Sequence, residues 1–173
     1  MERVLLTGAG GAGTIEVIRS LRRDGWTVIG ADAVEWSAGL ALSHERYVIP
    51  WGVDPAFAEA LRAMIRRSRP RFVVPLVDEE IAVAHAVCAE FPGVSVVAPR
   101  PTFCALALDK WAMAQALARH GLPTAPSWLA SDAAGAAWPA IVKPRTGRGS
   151  RGLAFLDGPA DLAAYLAAAT DPA

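Results

Sequence analysis

The chain has 173 residues, 17 basic and 17 acidic, no formal net charge, and 53% hydrophobic residues. That length accommodates one domain or one domain and a fraction, and the apolar share excludes a disordered chain. The balanced charge argues against a general nucleic-acid binder, and no window reaches the ~20 apolar residues of a membrane span.

The first hundred residues alternate short apolar runs with amphipathic stretches. Val4-Leu5-Leu6 reads as a strand bounded by the glycines from Gly8 to Gly13. Thr14 to Arg23 places Val17, Ile18 and Leu21 on one side and Glu16, Arg19 and Arg23 on the other, which is helical spacing. Thr27 to Gly30 is a second buried strand, and Tyr47-Val48-Ile49 a short third stopped by Pro50. Asp54-Pro55 supplies an N-cap and a first-turn proline for a helix that repeats Phe57, Leu61, Met64 and Ile65. Phe72-Val73-Val74 is the next strand. Asp78-Glu79-Glu80 then opens a helix to about Phe91, where negative charge suits the dipole. Val94 to Val97 is a fifth strand. Strands alternating with helices predict an α/β fold with a doubly wound, Rossmann-like parallel sheet over residues 1–98.

After Pro99 and Pro101 the grammar changes. Residues 99–121 read as connecting helices: Thr102 to Leu108, then Lys110 to His120 with Asp109 as N-cap, closed by Gly121 and stopped by Pro123. An alanine-rich stretch follows. Two β-runs, Ala140 to Lys143 and Leu153 to Leu156, flank a loop containing Arg145, Gly147, Gly149, Ser150 and Gly152, and a helix spans about Pro159 to Ala169. Two strands and one helix cannot close a core alone, so residues 122–173 are expected to be an incomplete α+β subdomain with exposed apolar surface.

Two segments carry candidate chemistry. Gly8-Ala9-Gly10-Gly11-Ala12-Gly13 fits G-x-G-x-x-G between a strand and a helix, with Asp32 about 20 residues on, where a dinucleotide fold places its ribose acid. Such a loop brings N–H groups to an anion at a helix N-terminus, although a tight strand-to-helix turn needs the same glycines. An NAD(P)-binding oxidoreductase is therefore one reading. It lacks the tyrosine-lysine pair of a short-chain reductase, since neither Tyr47 nor Tyr165 has a lysine four residues on. The second segment, Lys143 to Gly152, is a glycine-rich strand-loop-strand without P-loop spacing. It suits a flap folding its N–H groups over phosphates, with Lys143 as a fixed cation; a solvated basic hairpin is the alternative. Lys110 and Lys143 are the only lysines in the chain, and lysine suits phosphate as a point charge.

In order along the chain, these residues resemble the N-terminal part of a carbamoyl-phosphate-synthase-like ATP-grasp ligase. Leu5 to Gly11 and Val28 to Asp32 look like the pre-ATP-grasp domain. Asp109-Lys110 followed by Gly121-Leu122-Pro123-Thr124-Ala125-Pro126 looks like the family's D-K…G-I/L-P-x-P pattern, with one extra residue between the prolines. Ile141-Val142-Lys143-Pro144 and the glycines to Gly152 look like its V-K-P and flap. The resemblance implies ATP contacted by Lys110, Lys143, Arg145, Gly147, Gly149, Ser150 and Gly152. It implies phosphoryl transfer to a carboxylate, and displacement of phosphate by an amine or other nucleophile. It puts Gly10, Gly11, Asp32, Asp78 and Glu79 on the substrate side, a capped helix start being the other reading of the acids. Magnesium ligands are expected beyond residue 173, so the chain is expected to be inactive alone. A homodimer, or a complementary polypeptide in a split synthetase with this chain as docking half, follows from the same reasoning.

Other features carry less. Cys88 and Cys104 lack metal-ligand spacing and indicate no disulfide scaffold, and glycines and Glu16 interrupt any signal-peptide core, so a soluble cytoplasmic protein is expected. The run Arg62, Arg66, Arg67, Arg69 and Arg71 reads as a solvated helix face.

Overall fold

A computed structural model of the protein describes residues 2–147 and 149–169. The chain divides between Cys104 and Ala105 into two compact units. In the first, strands β1 (Arg3–Thr7), β2 (Thr27–Asp32), β3 (Glu45–Val48), β4 (Phe72–Pro75) and β5 (Ser95–Val96) form one sheet in the order β3-β2-β1-β4-β5. Every pairing is parallel, with Leu5 opposite both Ile29 and Val73. Helices α1 (Thr14–Arg23), α2 (Ala38–Leu42), α3 (Phe57–Ser68) and α4 (Asp78–Cys88) make the crossovers.

Strand alternation sorts the core into two faces. Leu5, Ile29, Ala31 and Val73 pack with Phe57, Leu61, Met64 and Ile65 of α3 and Ala84, Val87 and Cys88 of α4. Val4, Leu6 and Val28 pack on the opposite face with Ile18 of α1. The expected doubly wound α/β sheet is what the chain forms.

Local differences have local causes. Asp54 lies two residues before the cap of α3, Ala56. Its Oδ1 accepts the Ala56 N–H at 2.8 Å and its carbonyl accepts the Phe57 N–H at 2.9 Å, so an Asx turn leads into α3 and Pro55 stays outside it. Ile49 lies beyond β3 but is buried, and its N–H still reaches the Asp32 carbonyl. Helix α4 stops at Cys88 instead of Phe91, and α2 forms in a stretch to which the sequence assigns no element.

The second unit contains most of α5 (Pro101–Leu108), then α6 (Lys110–Arg119), a 3-10 segment (Ala130–Gly135), the antiparallel hairpin β6 (Ala140–Val142) with β7 (Ala154–Leu156), and α7 (Pro159–Ala168). Asp109 caps α6 as expected, accepting N–H groups of Trp111 and Ala112 at 3.1 and 3.0 Å. Gly121, at φ +66°, ends it. Among the described residues from 105 onward only Ala116 and Leu156 are buried, so this unit has a thin core. No described helix is long and apolar enough to cross a membrane.

Candidate functional site

In the first unit the loops after β1 to β4 meet at one end of the sheet, where glycines allow close approach. A Cβ on Gly10 would lie 2.7 Å from Ser37 Cβ, and one on Gly52 would lie 2.7 Å from Glu80 Cγ. The Gly10 N–H donates to Asp32 Oδ2 at 2.5 Å, and the Val34 N–H donates to Asp32 Oδ1 at 2.8 Å. Both oxygens of this buried carboxylate thus hold the loops in place. The Ala9 N–H bonds the Ala31 carbonyl and the Gly11 N–H bonds the Gly8 carbonyl. Three consecutive amides that could have cradled a phosphate are therefore engaged inside the unit.

The three carboxylates opening α4 differ in environment. Asp78 and Glu79 are exposed, whereas Glu80 is buried and accepts the Thr7 hydroxyl at 2.5 Å. Thr7 ends the central strand, so this bond ties the start of α4 to β1. Gly10, Gly11, Asp78 and Glu79 remain accessible at the loop end of the sheet. The strand order reverses between β1 and β4, and in open α/β sheets the crevice at that switch point receives ligands.

In the second unit the Asp109-Lys110 pair grips the loop after β6. Arg145 donates to both oxygens of Asp109 through Nε and Nη2 at 2.5 to 2.8 Å. That guanidinium, with the Ala112 N–H, lowers the Asp109 carboxyl to about 2. The Lys110 N–H bonds the Arg145 carbonyl at 3.0 Å, and its ammonium donates to the Gly147 carbonyl at 2.7 Å. At the far end Tyr165 of α7 donates to the Gly152 carbonyl at 2.6 Å, and a Cβ on Gly152 would meet Pro144 Cγ at 2.7 Å. Gly147, Gly149, Ser150 and Gly152 all have positive φ, a conformation glycine adopts without steric cost.

Lys143 makes no hydrogen bond or ion pair with another described residue and is exposed. It follows Ile141 by two positions, so both side chains leave the same face of the hairpin. Ile141 pairs with Phe155, and these two are 55% and 78% exposed. The apolar exposure expected in this unit is present: Ile141 and Phe155 are joined by Leu122, Trp128 and Leu153 as exposed residues. Arg145, expected at phosphate, is bonded to Asp109; this bond and that of Tyr165 to Gly152 join residues 36 and 13 apart and carry no local sequence signal. Among the described residues no group of three or more His, Cys, Asp or Glu side chains could hold a metal ion.

No protein-family model matches the chain. It is 34% identical over 172 residues to a formate-dependent phosphoribosylglycinamide formyltransferase of Mycobacteroides abscessus, covering 92% of this chain and 41% of that protein. Among solved structures, glycinamide-RNase-transformylase T from Mycobacterium tuberculosis matches with 26% identity and a TM-score of 0.60, over 73% of this chain and 38% of the other. N5-carboxyaminoimidazole synthetase from Staphylococcus aureus, complexed with ADP, matches with a TM-score of 0.74 and 16% identity, over 94% and 43%. The fold of the chain is that of the N-terminal part of ATP-grasp proteins. It aligns with the N-terminal part of ATP-grasp ligases and spans about two fifths of the length of the curated relatives it matches.

Proposed function

We propose that the chain supplies the acceptor-side domain and the first part of the nucleotide site of a cytoplasmic, ATP-dependent carboxylate-activating ligase of the carbamoyl-phosphate-synthase-like group. The observation that carries this reading is the exposed Ile141–Phe155 face with Lys143 on it, beside a flap latched by Asp109 and Lys110. An apolar face can stack a nucleobase while a nearby ammonium meets its phosphates. In the proposed reaction, a carboxylate oxygen attacks the γ-phosphorus of ATP and the bond to the β-phosphate oxygen breaks, releasing ADP. A nucleophile then attacks the acyl carbon, loses its proton and displaces phosphate. The side chains here bind and orient: Lys143 faces the phosphates, while Arg145, Gly147, Gly149, Ser150 and Gly152 shape the cover. Gly10, Gly11, Asp32, Asp78 and Glu79 form or support the acceptor edge.

Magnesium normally bridges the β- and γ-oxygens in such transfers. The described residues do not supply a site for it, so no step here runs through a metal. An NAD(P) role is disfavoured because Asp32 already accepts two backbone N–H groups where a ribose would bind. The test is calorimetric titration of ATP, with magnesium, into wild type and Lys143→Ala. Loss of the charge–phosphate contact costs roughly 2–5 kcal/mol, so affinity falls by at least about 30-fold. Equal affinity in both proteins refutes the assignment.

A further inference from the structure

The acceptor edge of the first unit has a distinctive chemistry. Trp36 is 88% exposed, Trp51 61% and Val53 77%, with Leu76 also exposed. The two indoles follow adjacent strands: Asp32 pairs with Val48, and Trp36 and Trp51 lie four and three residues beyond them. The Trp51–Val53 loop is fixed against the start of α4, because Gly52 sits where a Cβ would strike Glu80. Asp78 and Glu79 are exposed on that same first turn. Across Gly8 to Gly13 and residues 33–37, 49–56 and 76–79 there is no lysine, arginine or histidine. The amides of Ala9, Gly10 and Gly11 are engaged within the unit.

A phosphate group needs cations or unoccupied N–H donors; the loops after β1 to β4 lack the first, the nearest arginine at this end being Arg100 beyond β5, and have used those three of the second. Exposed indole faces attract cations and apolar groups, and carboxylates attract ammonium. Resting on the reading of this edge as the acceptor side, we infer that the reactant seated here is an apolar, amine-bearing small molecule, contacting the edge through its ammonium and hydrocarbon and not through a phosphate.

The experiment is 1H–15N NMR of the six tryptophan indole N–H signals in the full chain, with Trp36 and Trp51 assigned from Trp36→Phe and Trp51→Phe. The probes are 2-phenylethylamine, phenylacetate and ribose 5-phosphate, titrated separately. The expected result is saturable movement of the Trp36 and Trp51 signals with 2-phenylethylamine only, weakened at least fivefold (roughly 1 kcal/mol) in Asp78→Asn and in Glu79→Gln. Equal or stronger response to ribose 5-phosphate or phenylacetate overturns the assigned chemistry, as does no response to any probe. Movement of these signals with protein concentration alone identifies an interface between copies and also overturns it. A titration of the same samples with ATP and magnesium, read for loss in Lys143→Ala, reports separately on the ligase reading.

Discussion

Gly39 offers the most direct test of how the loop end of the first unit's sheet is built. It is the second residue of the five-residue helix α2, buried, with its Cα against the Gly8–Gly13 loop. A Cβ there would lie 1.8 Å from the Ala9 carbonyl oxygen and 2.6 Å from its carbon. Ordinary carbon–oxygen contact is about 3.3 Å, so Gly39→Ala must drive the two segments apart by about 1.5 Å. Ala9 and Ile18 behind it have no solvent exposure, and the obstacle is backbone, so no side-chain rotation relieves the clash. Helix propensity and unfolded-chain entropy favour alanine by about 1 kcal/mol, while overpacking opposes it by about 1–3 kcal/mol or more. With a buried backbone obstacle the upper end governs, leaving a net destabilisation of about 2 kcal/mol. At a urea dependence of about 2 kcal/mol per molar, the midpoint falls by about 1 M. Circular dichroism against urea measures it, with Gly13→Ala as control, since nothing lies within 4 Å of a Cβ there. A Gly39→Ala midpoint equal to or above wild type refutes the packing argument.

Thr7→Val removes the hydroxyl that donates to Glu80; leaving a buried carboxyl oxygen without that partner destabilises the first unit by about 1–3 kcal/mol, readable as a lower thermal midpoint. Asp109 is held low, at about 2, chiefly by Arg145, so its contribution to the second unit is full above the unfolded carboxyl value near 4 and lost as pH falls through about 2. Hydrogen exchange at Arg145–Gly147 therefore accelerates between pH 4 and 2 relative to the intrinsic rate, and Asp109→Asn shows that faster exchange already at pH 7 with no such transition. Lys110→Ala accelerates exchange in the same segment at neutral pH, whereas Lys143→Ala leaves it unchanged; the opposite pattern contradicts the latch described here.

The first unit was legible because its signals are local. Leu5-Leu6, Val28-Ile29 and Val73-Val74 are apolar on successive residues, as strands covered on both faces must be, and Phe57, Leu61, Met64 and Ile65 recur at helical spacing. Helix α2 was not legible because five residues containing a glycine carry little propensity, and contacts with the Gly8–Gly13 loop hold them in place. The same limit applies to the sites. Asp109 could be read as a cap from its position, but its fork with Arg145 joins residues 36 apart. The Asp78-Glu79-Glu80 run looks uniform in sequence. Burial divides it, placing Glu80 on Thr7 and leaving its neighbours at the surface.

The two lysines show why residue type and context alone underdetermine a site. Both stand beside glycine-rich or capped segments, and both suit phosphate equally well on chemical grounds. Geometry separates them. The Lys110 ammonium already donates to the Gly147 carbonyl, and its own N–H is bound to Arg145, so binding a phosphate through Lys110 requires sharing or breaking the latch that shapes the flap. Lys143 carries no such bond to another described residue and projects from a face whose other exposed residues, Ile141 and Phe155, have no polar atom to offer in their side chains. A bound anion at Lys143 therefore gains a charge partner without dismantling anything, whereas at Lys110 it must compete with an existing charge-assisted hydrogen bond. In the proposed reading, nucleotide binding and flap order are therefore coupled through Lys110 and independent at Lys143, and the Lys143→Ala titration and the Lys110→Ala exchange measurement test the two halves of that statement separately.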